Sequence, residues 1–224
     1  MSFFNKINRR QSRFGFTLIE LLTVIAIIII LAGLVLSVSR YVTTKGKTSR
    51  AQSEIAAMSA ACESYKADNG IYPDDGTTNS SGTYAKGAAA TLDARTNYDP
   101  TAAVYTSAGL VLYRALSGDT NCDGSVNSTD QSFTISGSSQ TASGVNPTVY
   151  YTFRPSQIIT GTTGSVTSLR DPFGNSYGYS TAYAGDVLIS GSTTPTHGYN
   201  PTFDLWSTTG STVSTGTSTW ITNW

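Results

Sequence analysis

Residues 16–38 read FTLIELLTVIAIIIILAGLVLSV, an apolar run interrupted by a single charged side chain, Glu20. At about 1.5 Å per residue, a helix of this length crosses the roughly 30 Å hydrocarbon core of a bilayer. The run is therefore read as a membrane-spanning helix. Lys6, Arg9, Arg10 and Arg13 all lie on its N-terminal side. The positive-inside rule then places the N-terminus in the cytoplasm and everything after Arg40 outside. A cleaved secretory signal has an apolar core of about 7–15 residues followed by a small-residue cut site. This run is longer and continues into a helical pattern, so it is expected to stay with the mature protein. A carboxylate at membrane depth is costly unless neutralised or paired, which makes Glu20 a functional candidate. The plainer alternative is a signal anchor with an incidental acid.

The residues around that acid, Arg13-Phe14-Gly15-Phe16-Thr17-Leu18-Ile19-Glu20-Leu21, resemble the class III signal of type IV pilins and type II secretion pseudopilins. The resemblance implies that a prepilin peptidase cuts after Gly15 and methylates the new N-terminus on Phe16. Glu20 would then be the fifth residue of the mature chain. The freed ammonium on Phe16 could pair with Glu20 of a neighbouring copy, neutralising both in a low-dielectric bundle. The family usually carries a proline at about the twenty-second mature position, where this chain has Ser37.

Beyond the membrane, Ile55, Met58, Cys62 and Tyr65 recur at intervals of three and four, supported by Ala51, Ala56, Ala57, Ala60 and Ala61. One helix is expected from Phe16 to about Asp68, stopped by Asn69-Gly70. Its outer half is amphipathic, with Lys45, Lys47, Arg50, Glu54, Glu63 and Lys66 available to solvent and the apolar stripe packed on a sheet. The chain thus divides into a leader (1–15), a membrane and polymerisation segment (16–38), the amphipathic half of the same helix (39–70) and a globular head (71–224). The fold class is α+β, a long N-terminal helix packed on a small antiparallel sheet, as in the pilin fold.

Formal net charge is zero and 12% of the 224 residues are charged, so the balance gives no reason to expect a nucleic-acid partner. From Gln131 onward the only charged side chains are Arg154, Arg170, Asp171, Asp186 and Asp204. That tail, rich in Ser, Thr, Gly and Tyr, reads as an exported β-region. Cys62 and Cys122 have no C-x-x-C spacing. A single bridge between them is possible in an oxidising compartment.

In the head, residues 74–83 and 85–103 read as surface loop with one helical turn at most, and Ala108–Leu116 as a short packed helix ending at Ser117-Gly118. Asp119 to Asp130 then places oxygen-bearing side chains at positions 1, 3, 5, 9 and 12 of a twelve-residue loop, with Gly124 at position 6. This is the spacing of an EF-hand-type Ca²⁺ loop, whose glycine permits the sharp turn that converges the ligands. Asp119, Asn121, Asp123 and Asp130 would supply side chains, and Ser125 a backbone carbonyl. The loop resembles that of dockerin modules, which also carry aspartate at position 12, although only one copy is present. The alternative is an Asx-rich turn with no metal.

Strands are expected at 148–153, 176–180, 185–190 and 202–207, forming an antiparallel sheet of three or four strands. Asp171-Pro-Phe-Gly-Asn-Ser-Tyr-Gly-Tyr179, Phe203-Asp-Leu-Trp-Ser207 and the closing Ile221-Thr-Asn-Trp224 are similar to segments of the major pseudopilins of type II secretion systems. That family's C-terminal acidic Ca²⁺ loop has no counterpart, because no side-chain carboxylate lies between Trp206 and Trp224. His197 lacks any partner with metal-ligand spacing and reads as a loop residue. No nucleophile–base set or phosphate loop is recognisable, so the chain is not read as an enzyme.

The resemblance implies a subunit of a type II secretion pseudopilus, assembled from the inner membrane to drive protein export. Its partners would be further copies of itself, the prepilin peptidase, the inner-membrane assembly platform, minor pseudopilins and membrane lipid. A surface type IV pilin for adhesion, motility or DNA uptake is the alternative within the superfamily. A membrane-anchored, calcium-dependent binding module is the alternative of another class.

Overall fold

The computed structural model describes residues 15–78, 84–127, 130, 147–191 and 195–224, with backbone alone at 37. Lys6, Arg9, Arg10 and Arg13 lie outside the described residues. The architecture is α+β. The chain divides into two compact units, Met1–Lys45 and Gly46–Trp224, whose border falls inside the first helix.

Helix α1 runs from Leu18 to Asn69. It begins on Thr17 and ends at Gly70, whose positive φ of 82° admits the left-handed turn and whose N–H closes onto Lys66 O at 2.7 Å. The helix passes through Gly33 and Ser37 without a break. In the first unit its apolar side chains, from Leu18 to Val42, are exposed. Among the described residues α1 is the one helix long and apolar enough to cross a membrane.

In the second unit the same helix turns one face inward. Ala51, Ile55, Met58, Cys62 and Tyr65 are each at most 3% exposed, at alternating intervals of four and three that keep them on a single stripe. Burial of each larger side chain contributes about 1.5–3 kcal/mol. Glu54 departs from the expectation of a solvent-facing charge and is buried. It sits one residue before Ile55 on the inward face, where Arg50 Nε meets Oε1 at 2.7 Å and the Tyr177 hydroxyl donates to Oε2 at 2.7 Å. A buried carboxylate is tolerated because both oxygens are satisfied.

The short pair β1 (Thr77–Thr78) and β2 (Tyr84–Ala85) is antiparallel and falls in the stretch expected to be loop. After it come α2 (Ala88–Thr91) and α3 (Ala103–Ser117). Helix α3 starts five residues before the expected Ala108 because Tyr105, fully buried, extends its apolar face by one turn. Gly118 caps it in the left-handed region at φ 77°, as the sequence foretold. The hydroxyl of Tyr105 donates to Asn97 O at 2.7 Å and accepts from Trp206 Nε1 at 3.1 Å.

The segment 148–153 forms no strand. The N–H groups of Tyr150 and Tyr151 both donate to Leu116 O at the end of α3, so its backbone is spent on a helix terminus instead of a ladder. A hairpin absent from the sequence reading follows, β3 (Ile158–Thr160) and β4 (Val166–Leu169), with a register irregularity at Ile159/Thr160.

Strands β5 (Gly178–Ser180), β6 (Asp204–Ser207) and β7 (Ile221–Thr222) form a three-stranded antiparallel sheet. Gly178 faces Trp206, and a Cβ there would stand 2.2 Å from Trp206 Cε2. The indole thus occupies the space that any side chain would need. Between β5 and β6 lies α4 (Ala182–Ser190), where residues 185–190 were expected to be a strand. Val187 and Ile189 suggested β structure, yet Ala182 and Gly185 are the residues the helix buries, three apart. Gly191 ends it at φ 62° with its N–H on Val187 O.

The core of this unit joins the α1 stripe to Val111, Leu112, Leu116, Leu169, Tyr177, Tyr179 and Leu205. A second cluster gathers Leu92, Ala94, Tyr105, Ala108 and Trp206.

Candidate functional site

Two places carry the residues singled out from the sequence. The first is the start of α1. Gly15 and Phe16 are exposed and outside any regular element, and among the described residues nothing stands within 4 Å of a Cβ built on Gly15. Helix starts leave N–H groups without intrahelical partners. Here Thr17 and Glu20 satisfy each other: Thr17 N–H and its hydroxyl donate to Glu20 Oε2 at 2.8 and 2.7 Å, and Glu20 N–H donates to Thr17 Oγ1 at 3.3 Å. The T-x-x-E spacing makes this a capping box. The T-x-x-E spacing is visible in the residues alone, although Thr17 carries no role in the sequence expectations above.

The second place is the loop from Asp119 to Asp130, in which Ser128 and Thr129 lie outside the described residues. Asp119 and Asp130 are 1% and 3% exposed. Asp119 Oδ1 accepts from Asp123 N–H at 3.1 Å, and Oδ2 from Gly124 N–H at 2.8 Å and the Tyr113 hydroxyl at 2.7 Å. Asp130 Oδ1 accepts from the N–H groups of Thr120 and Asn121, and Oδ2 from that of Asn127. Asp123 Oδ1 accepts from Ser125 N–H, and Asn121 Oδ1 from Asp123 N–H. Gly124 adopts φ 89° at the sharp turn. The first and last carboxylates of the loop therefore pull its backbone inward. The donor set is hard oxygen throughout, and among the described residues neither buried carboxylate has an ion-pair partner. Among those residues, equally, no three His, Cys, Asp or Glu side chains form a group that could hold a metal.

His197 lies in a loop as expected, but it has a partner that the sequence reading missed. Its Nδ1 meets Asp186 Oδ2 at 2.6 Å, and Lys86 Nζ meets Asp186 Oδ1 at 2.7 Å. Burial raises the Asp186 pKa, but hydrogen bonds from Lys86 and His197, with their charges, outweigh it and bring the carboxyl to about 2. Asp171 opens the DPFG turn as expected. Its Oδ1 accepts from the N–H groups of Phe173 and Asn175, and its Oδ2 from the Ser207 hydroxyl, so it bridges the turn to β6.

With this geometry in place, comparison with known proteins locates the likeness in the N-terminal part. Residues 10–36 match the family model of the prokaryotic N-terminal methylation motif. The N-terminal region carries that motif. The chain is 46% identical over 67 residues to the type II secretion system core protein G of Klebsiella michiganensis, a stretch covering 29% of this chain and 46% of that protein. It is 40% identical over 65 residues to the type II secretion system core protein G of Pseudomonas aeruginosa, with the same coverage of each chain. The chain thus spans about half the length of the curated relatives it matches. No solved structure gives a significant match.

Proposed function

We propose that this chain is a pilin-like structural subunit, not an enzyme, that polymerises into the pseudopilus of a type II secretion system. The observation that carries the reading is the methylation motif at residues 10–36 together with 46% identity to a type II secretion core protein over 67 residues. The chemistry supports it: an apolar helix start with exposed Gly15 and Phe16 and one carboxylate four residues beyond Phe16. Cleavage after Gly15 frees an ammonium on Phe16. Glu20 of a neighbouring copy is its complement, since either charge alone in a low-dielectric bundle costs several kcal/mol. The apolar helix anchors the chain in the inner membrane, with the head on the periplasmic side. The prepilin peptidase, the assembly platform, minor pseudopilins and lipid are the partners this reading requires.

N-terminal analysis and intact mass of the protein recovered from membranes test the processing step. The expected product begins at N-methylated Phe16; a cut elsewhere, or none, overturns the reading. The surface-pilin alternative is favoured by one observation, that the likeness to core protein G leaves most of the head unmatched. Long fibres outside the cell at native expression would support it.

Ca²⁺ is proposed for the loop from Asp119 to Asp130, supported by the ligand spacing and by two buried carboxylates with no ion-pair partner among the described residues. Asp119, Asn121, Asp123, Ser125 and Asp130 would hold it, and the ion would add a cross-link to the head.

A further inference from the structure

A cavity of about 330 Å³ opens in the head where the end of α1 meets α4. That volume lies at the low end of the range for small-ligand sites, about 300–1,000 Å³. Its walls are mostly apolar: Ile71, Tyr72, Tyr84, Ala184 and Leu188. Ile71 and Leu188 are 45% and 63% exposed, so the apolar lining continues to the surface. Tyr84 lies over Gly76, where a Cβ would stand 2.1 Å from its hydroxyl, and that hydroxyl donates to Asp74 Oδ2.

Two polar groups of this lining are left unanswered. The Asp74 carboxylate accepts from the Tyr84 hydroxyl and, at 3.0 Å, from the Gly76 N–H. Both donors are neutral, and Asp74 has no ion-pair partner among the described residues. Burial raises its pKa and the charge of Asp75 adds to the rise, against those two hydrogen bonds. Lys66 also lines the cavity but is committed to Tyr72: its Nζ lies 4.2 Å from the ring centroid and donates to the hydroxyl at 3.2 Å. The second group is the hydroxyl of Thr181. Thr181 lines the cavity at the start of α4 and is 3% exposed, yet its side chain caps no helix N–H. Its Oγ1 has no hydrogen-bond partner among the described residues. A buried polar group without a partner is costly, and a bound ligand is one way to satisfy it.

We propose that this cavity binds a small apolar amine, its hydrocarbon body between the walls and its ammonium answered by Asp74, with the Thr181 hydroxyl as the second polar contact. The ligand is a cation because Glu63, Asp74 and Asp75, on or beside the wall, outnumber Lys66. A neutral ligand leaves the Asp74 charge uncompensated, and an anion is repelled by it. The hydrocarbon body is required because the walls offer it more contact than they offer a hydrated ion. The site belongs to the head alone and does not rest on the assembly reading above.

The test is equilibrium dialysis of the full-length chain in detergent micelles, with protein-free micelles as the blank, against three probes of similar size. Millimolar phenethylamine is expected to bind at one per chain, phenethyl alcohol about tenfold more weakly, and phenylpropanoate not at all, the tenfold step being the worth of a hydrogen bond to a charged group. Asp74→Asn is expected to lower the amine affinity to that of the alcohol, and Thr181→Val to weaken the amine severalfold. Ala184→Phe fills the cavity from α4 and is expected to abolish binding of both. No amine bound above the blank overturns the proposal, leaving a cavity that holds water. So does equal binding of amine and alcohol by the parent, a reading that needs no variant to fold. Parent-level amine affinity in Asp74→Asn, Thr181→Val or Ala184→Phe overturns it as well, since the amine would then sit elsewhere.

Discussion

The two halves of α1 solve opposite problems with similar residues. From Leu18 to Val42 the apolar side chains are exposed all round, whereas from Ala51 to Tyr65 they are confined to one stripe that the head covers. A stripe finds its partner within the chain. A helix apolar on every side needs one from outside, lipid or other copies. The polar exceptions follow the same division. Glu54 has both oxygens answered by Arg50 and Tyr177, while Glu20 has one oxygen held by Thr17 and the other open.

The comparison is broken most severely at Glu20. On the assembly proposed above, Glu20→Ala is expected to abolish sheared fibre, a loss of at least about a hundredfold, since the ammonium proposed to be freed on Phe16 would be left unpaired at a cost of several kcal/mol. The melting temperature of the Gly46–Trp224 unit, which lacks the site, is unaffected by definition. Fibre from Glu20→Ala at parent level would remove the distinction between the halves. Trp206→Ala does the reverse, striking the head alone. It removes a fully buried indole that fills the space above Gly178, and is expected to cost about 3–5 kcal/mol. For a unit of this size that lowers the melting temperature by about 10 °C, measurable by calorimetry on a fragment beginning at Gly46.

Glu54→Ala sharpens the contrast between the two carboxylates. It leaves the Tyr177 hydroxyl without its acceptor in the core and is expected to cost the fragment about 2 kcal/mol by denaturant unfolding. An unchanged midpoint would mean that the burial of Glu54 is incidental. A smaller effect is expected from Ca²⁺. With a Kd of about 10⁻⁴ M, millimolar Ca²⁺ would stabilise the folded head by about 1.4 kcal/mol over chelator, and Asp123→Ala with Asp130→Ala would remove the difference. Equal melting in both buffers leaves the Asx-rich turn as the account of the loop.

The smallest expected effect is that of the Asp186 pair. Its carboxyl lies at about 2 in the folded head against 3.8 ordinarily, so it binds its proton less readily when folded. Its contribution to stability is therefore present above pH 3.8 and is lost as pH falls through about 2. Asp186→Asn should narrow the stability difference between pH 5 and pH 2 by less than about 1 kcal/mol, read by urea unfolding at each pH.

Long, strongly periodic features were legible in the residues. The apolar run, the stripe from Ile55 to Tyr65, Gly70 and Gly118 as helix ends, and strands at Tyr179 and Trp206 all stand where they were expected. What escaped was decided by tertiary contact. Residues 185–190 carry β-branched side chains, yet Gly185 packs close to Ala90, where a Cβ would stand 3.1 Å from the Ala90 Cβ, and the segment is helical. The β3–β4 hairpin was hidden because its Ser, Thr and Gly resemble loop composition, although two β-branched runs around Gly161-Thr-Thr-Gly164 were a usable sign. Of the candidate sites, the Thr17–Glu20 box was readable from spacing. The Asp186–His197 pair joins residues 11 apart with no motif to mark it, and only folding brings them within 2.6 Å.

Both thiols of the chain are free and buried. Burial pushes the Cys62 thiol far above its ordinary range, and Cys122 is likewise raised by burial, against a partly opposing hydrogen bond from Arg114. Since the thiolate is the species that attacks a disulfide, neither sulfur is a competent nucleophile at neutral pH. In an oxidising compartment such a chain would be slow to form mixed disulfides. If copies pack side by side as proposed, their contacts would stay reversible, without becoming covalently locked.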